Sequence, residues 1–130
     1  MQRRGSFEST QVWDDTRSLV NEIFRATKCN RMKHEYFLQD QMNRSALSIL
    51  SNISEGFERD GNKELIQYLS QAKGSAGELR AQLVAGSDME LISSEDFKRL
   101  CNKVISISRQ LSGFMRYLKK SGMKGTKFES

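Results

Sequence analysis

A chain of 130 residues with 37% apolar and 28% charged residues and a formal charge of +5 can build one core and is too apolar for a disordered tail. It has no proline, which excludes polyproline linkers and collagen-like segments and argues against a loop-rich fold. Two cysteines, Cys29 and Cys101, do not make a disulfide framework and read as reduced thiols. Residues 1–15 lack an apolar stretch, so no signal peptide is expected. No apolar run approaches the ~18–20 residues of a transmembrane helix. The expected location is the cytoplasm.

In chain order, apolar residues recur at steps of 3 and 4 in four blocks, the period of helices rather than strands. The first helix is predicted over residues 12–27, with Val12, Leu19, Val20, Ile23 and Phe24 on one face. Residues 28–37 have no clear period and read as a connection. The second helix is predicted over 38–57: Leu38, Met42, Ala46, Ile49, Ile53 and Phe57 step by 4, 4, 3, 4 and 4. Its many serines lower helix propensity and point to close packing.

The segment GFERDG, residues 56–61, is the best turn signal, short enough to make helices two and three antiparallel neighbours. Asn62 is the expected N-cap of a third helix over 62–85, with Leu65, Leu69, Ala72, Ala76, Leu79 and Leu83 as its core stripe. A second stripe on that helix is made almost wholly of small residues: Ile66, Ser70, Gly74, Gly77, Ala81 and Val84. Interior glycines cost about 1 kcal/mol each against alanine, so something must compensate. Either two helices of one chain cross tightly there, or another subunit docks. Gly86 is the expected left-handed cap and Ser93 the cap of a fourth helix over 94–120. That helix has the longest stripe, Phe97 to Leu118, and a length of about 40 Å. Residues 1–10 and 121–130 read as flexible tails.

Charge is unevenly placed. Residues 1–96 hold 12 basic and 15 acidic groups, whereas residues 97–130 hold 9 basic groups and one acid, Glu129. Lys98, Arg99, Lys103, Arg109, Arg116, Lys119 and Lys120 fall away from the apolar stripe of helix four. A solvated face usually mixes signs, so a one-sign face indicates a polyanionic partner, such as RNA or DNA met through phosphates. Acids of the bundle, such as Asp14, Asp15 and Glu22, could instead neutralise it. Interleaved aromatics are few, leaving Tyr117 and Phe128 as weak stacking candidates. The basic side has no bulky apolar residue to insert into a membrane.

The equipment of an enzyme is missing. The lone histidine, His34, sits in the irregular connection, and no phosphate loop or di-iron motif appears. Cys29, His34 and Cys101 match no zinc spacing. Glu55, Glu58 and Asp60 could do acid–base work or hold a hard cation, but read more simply as a solvated helix end beside Arg59 and Lys63.

Residues 45–57 (SALSILSNISEGF) and 62–83 (NKELIQYLSQAKGSAGELRAQL) resemble a bacterial four-helix bundle family whose founding members are encoded in intervening sequences of large-subunit ribosomal RNA genes. Ser48, the run Ser51 to Phe57, Glu64-Leu65, Ala72 to Ser75, Glu78-Leu79 and Gln82-Leu83 carry the resemblance. The family often has proline where Leu50 stands here. The resemblance implies an antiparallel bundle that assembles into a homo-oligomer, a pentameric ring. It also implies kinship with accessory proteins of diversity-generating retroelements, which bind nucleic acid and a reverse transcriptase. It brings no catalytic activity. Its motif positions here are Asn52, Glu55, Gly56, Lys73, Gly74, Ser75 and Glu78, for which a structural role is expected. Ser70, Gly77 and Ala81 join them as candidate interface residues.

The expected protein is therefore an all-α, up-down four-helix bundle in one domain, non-enzymatic and oligomeric, without cofactor or metal. Nucleic acid is its expected partner, through helix four. The alternative is an adaptor whose basic face docks an acidic protein.

Overall fold

The computed structural model describes residues 6–129, with side chains for 10–29 and 31–121. Four α-helices follow one another: α1 (Ser6–Thr27), α2 (Tyr36–Phe57), α3 (Asn62–Asp88) and α4 (Ser94–Glu129). A 3-10 turn, Asn30–His34, joins α1 to α2. No strand occurs among the described residues, and no described helix is long and apolar enough to cross a membrane. Each helix packs on two neighbours, α1 and α3 both lying against α2 and α4. The stripes read from the sequence form the core: Leu19 and Ile23, Met42 to Phe57, Leu65 to Leu83, and Leu100 to Leu118. Phe57 stacks on Phe114 with ring centroids 5.7 Å apart.

Several local expectations are corrected. Phe24 was assigned to the core face and is 53% exposed. Met32, in the segment without a period, is fully buried. The N-cap of α3 is Gly61 rather than Asn62. Gly86 lies inside α3 and does not supply the left-handed residue. That residue is Glu90, at φ 59°. The N–H of Leu91 bonds to the carbonyl of Gly86 and the N–H of Glu90 to that of Ser87, the paired bonds of a Schellman ending. Gly86 is needed for space, since a Cβ there would lie 2.8 Å from Ile92 Cδ1. Ser93 caps α4 as expected, its Oγ accepting from the N–H of Asp96 at 3.1 Å.

The helix ends differ most at α4, which runs on to Glu129 where the sequence reading ended it near 120. Side chains that meet across α1 and α4 set an antiparallel register: Asp15 with Gln110, Ser18 with Lys103, and Glu22 with Arg99. Continued, that register places the start of α1, Ser6, opposite about residues 115–119 of α4. The last buried side chain of α4 is Leu118.

Candidate nucleic-acid interface

Helix four presents seven candidate cations, and its neighbours divide them into two groups. Arg99 pairs with Glu22 of α1 and, at 3.0 Å, with Asp96 of its own helix. Lys103 Nζ lies 2.7 Å from Glu22 and donates to Ser18 Oγ at 2.8 Å. The Glu22 side chain is only 17% exposed, so removing it would leave two partly desolvated cations without their acid. Of the acids named from the sequence, Glu22 neutralises α4 cations, Asp15 accepts from Gln110, and Asp14 faces Arg17 within α1. Arg99 and Lys103 are thus largely spent in holding α4 to α1, which removes them from the candidate interface.

Lys98, Arg109, Arg116, Lys119 and Lys120 are all exposed. None of them has an ion-pair partner among the described residues. Lys98, Arg109, Arg116 and Lys120 are spaced by 11, 7 and 4, which puts them on one side of the helix. Tyr117 leans on Phe114 with centroids 6.3 Å apart and is 45% exposed, while the side chain of Phe128 lies outside the described residues.

Arg80 of α3, which the sequence reading did not single out, sits beside Cys101 of α4. Burial raises the Cys101 thiol above its usual range, and the Arg80 charge partly opposes that rise. Lys73 lies seven residues earlier on the same side of α3, and both are exposed. Lys73 and Arg80 are thus two further exposed cations, on α3. The spacing of 7 between Lys73 and Arg80 was the signal in the sequence.

The motif positions divide in the same way. Ser75 is buried and its Oγ lies 2.8 Å from Ser48 Oγ. Asn52 Nδ2 donates to the carbonyl of Ser48 at 2.9 Å and approaches its hydroxyl at 3.2 Å. Gly56 lies so close to α3 that a Cβ would meet Leu65 Cδ1 at 2.8 Å and Tyr68 Cβ at 3.0 Å. Glu55 accepts from Arg59 at 2.8 Å, and Arg59 also donates to the Tyr68 hydroxyl at 2.8 Å. These residues pin the α2–α3 turn. Glu58 and Asp60 stand exposed beside it. Among the described residues, no three metal-ligating side chains are grouped to hold an ion.

Ser70, Lys73, Gly74, Gly77, Glu78 and Ala81 lie on the outer side of α3 and are exposed. A Cβ on Gly74 or Gly77 would meet nothing within 4 Å. The small-residue stripe is therefore not a crossing between helices of one chain, and that expectation is overturned.

The class defined by these features is an all-helical, antiparallel four-helix bundle. The family model of the 23S rRNA-intervening sequence protein matches residues 8–113, and the chain belongs to that family. Its fold is similar to the 1.70 Å crystal structure of a protein of unknown function from the S23 ribosomal protein family of Bacteroides thetaiotaomicron. The two are 22% identical with a TM-score of 0.79, over 84% of this chain and 98% of the other. No curated protein matches.

Proposed function

We propose that this protein is a non-enzymatic, self-assembling bundle that binds RNA or DNA in the cytoplasm, through phosphates and without reading base sequence. The observation that carries this reading is the row of exposed α4 cations, Lys98, Arg109, Arg116, Lys119 and Lys120, none of which has an ion-pair partner among the described residues. Lysine and arginine on a straight helix meet a dense phosphate array by charge, with counterion release as the driving force. The non-enzymatic part is supported by the engagement of Glu55 with Arg59 and the exposure of His34, the only histidine.

Assembly into a homo-oligomer is supported by two unpartnered surfaces, and a pentameric ring is the form the family resemblance implies. One is the outer stripe of α3, where Gly74 and Gly77 have open space. The other lies between α1 and α2, where Phe24, Tyr36 and Leu47 are exposed beside a shallow groove. Exposed apolar surface of this kind marks association.

Anisotropy titration of a mixed-sequence duplex at two ionic strengths tests the binding. Affinity should fall steeply with salt, and Arg109→Glu with Arg116→Glu and Lys120→Glu should abolish it while the helical circular dichroism is kept. A stable acidic protein partner with no nucleic-acid affinity would turn the reading to the adaptor. Light scattering tests assembly: a monomer at micromolar concentration contradicts it, and Gly77→Leu should dissociate the oligomer.

A further inference from the structure

Charge, helix register and the extent of the family match converge on the end of α4. The matched segment, residues 8–113, holds 14 basic and 15 acidic groups, a net charge of −1. Residues 114–130 hold five basic groups, Arg116, Lys119, Lys120, Lys124 and Lys127, against Glu129 alone, a net charge of +4. Arg3 and Arg4 account for the remainder of the chain's excess. The part of the chain that the family defines is thus close to neutral, and three of its four α4 cations have acids nearby. Arg99 and Lys103 are paired, and Lys98 lies within one turn of Glu95.

The backbone carries the last part of this basic segment, after Lys120, beyond the start of α1 and the α2–α3 turn with its acids Glu58 and Asp60. The start of α1 at Ser6 lies opposite about residues 115–119 of α4, by the register of Asp15 with Gln110 and Glu22 with Arg99. Phe57, the last residue of α2, stacks on Phe114, which puts the α2–α3 turn near the same level. Beyond Leu118, α4 continues for eleven residues to Glu129, a length of about 16 Å. That is about twice the Debye length at physiological salt, so the carboxylates of the bundle are screened from a phosphate at the far end. Positions 116, 120, 124 and 127 follow at steps of 4, 4 and 3, one stripe of a helix. Like charges at i,i+4 weaken an isolated helix, a repulsion that a bound polyanion relieves.

We infer that the C-terminal overhang of α4, residues 116–127, is the phosphate-binding arm of this protein, and that the bundle of residues 8–113 contributes little of the affinity. The inference rests on the nucleic-acid reading above and assigns the contact to one end of α4. The partner is the phosphate backbone of a duplex, whose charge density matches a cationic stripe and which asks for no base stacking.

The test compares two full-length variants with the same loss of charge. One carries Lys119→Gln, Lys120→Gln, Lys124→Gln and Lys127→Gln. The other carries Lys73→Gln, Arg80→Gln, Lys98→Gln and Arg109→Gln. Glutamine keeps the helix propensity of lysine and arginine, and circular dichroism verifies the fold of each. Anisotropy of a labelled duplex of about 20 base pairs, as DNA and as RNA, is titrated between 50 and 250 mM salt. The overhang variant should lose about 30-fold or more in affinity at 100 mM salt, and its log–log salt slope should flatten by about 3. The bundle variant should lose less than about 5-fold. Equal losses, or a larger loss in the bundle variant, would overturn the inference and leave the nucleic-acid reading standing. Failure of the unaltered protein to bind either duplex at 50 mM salt would overturn both.

Discussion

The two flanks of α3 and α4 use similar residues in opposite ways. On the inner flank, Gly56 of α2 is pressed against Leu65 and Tyr68, Ser75 is bonded to Ser48, and Arg99 and Lys103 close on Glu22. On the outer flank, Gly74 and Gly77 face open space, and Arg109 and Arg116 stand exposed with no ion pair among the described residues. A glycine or an arginine has no fixed role in a bundle. Its role is set by what the neighbouring helix places against it. The inner flank holds the fold, and the outer flank of α3 is bare.

The sharpest test of that contrast is the pair of glycines. Gly56→Ala should destabilise the fold by about 2 kcal/mol, because the new methyl meets Leu65 and the stem of Tyr68, which cannot both move aside. Gly77→Ala, in open space, should leave the fold of the chain intact or strengthen it by up to about 1 kcal/mol. Urea denaturation distinguishes them, and equal losses would erase the difference between the flanks.

The cations give the next largest difference. Glu22→Ala removes the acid shared by Arg99 and Lys103 and should cost about 1 kcal/mol, seen as a lowered melting temperature that high salt makes smaller. Arg109→Ala should change stability by less than about 0.5 kcal/mol. On the inner flank Ser75→Ala leaves Ser48 short of a partner and should cost about 1 kcal/mol. At the end of α3, Glu90→Gly should stabilise the chain by about 0.5 kcal/mol, since glycine adopts the positive φ without strain.

The smallest effect concerns the thiols. Burial holds the Cys101 thiol above its ordinary range, whereas Cys29 is exposed. Cys29 should therefore react first with a thiol reagent at pH 8. The linkage has a definite sign. A folded-state value above the unfolded one gives stability that is whole below the ordinary thiol range. That stability is lost as pH rises through the folded value. A small fall in melting temperature above about pH 9, absent in Cys101→Ala, measures it.

The helices and their buried faces were legible because apolar spacing is a local property. Leu65, Leu69, Ala72, Ala76, Leu79 and Leu83 announce their stripe without reference to anything distant, and all six are buried. Phe24 was misassigned because it lies at the edge of its stripe, where only the position of α2 decides whether it is covered. Met32 was missed because a 3-10 turn has too few residues to show a period. The turn of residues 56–61 was found, but the need for glycine at position 56 comes from the approach of α3 and has no local signature.

Among the candidate cations, sequence supplied the unbroken basic run after Phe97, and it could not tell which members were free. Glu22 lies 77 residues from Arg99 and Asp15 lies 95 residues from Gln110. Such pairings depend on helix register and crossing, which follow from the packing of whole stripes. The sequence by itself determined four amphipathic helices, their core faces and an excess of charge toward the C-terminus, because periodicity and composition are carried along the chain. The tertiary structure alone decided that Arg99 and Lys103 are neutralised, that the glycine stripe of α3 is bare and that α4 outruns its neighbours. Each of these depends on what another helix brings to the same place, and proximity in space is not encoded in local spacing.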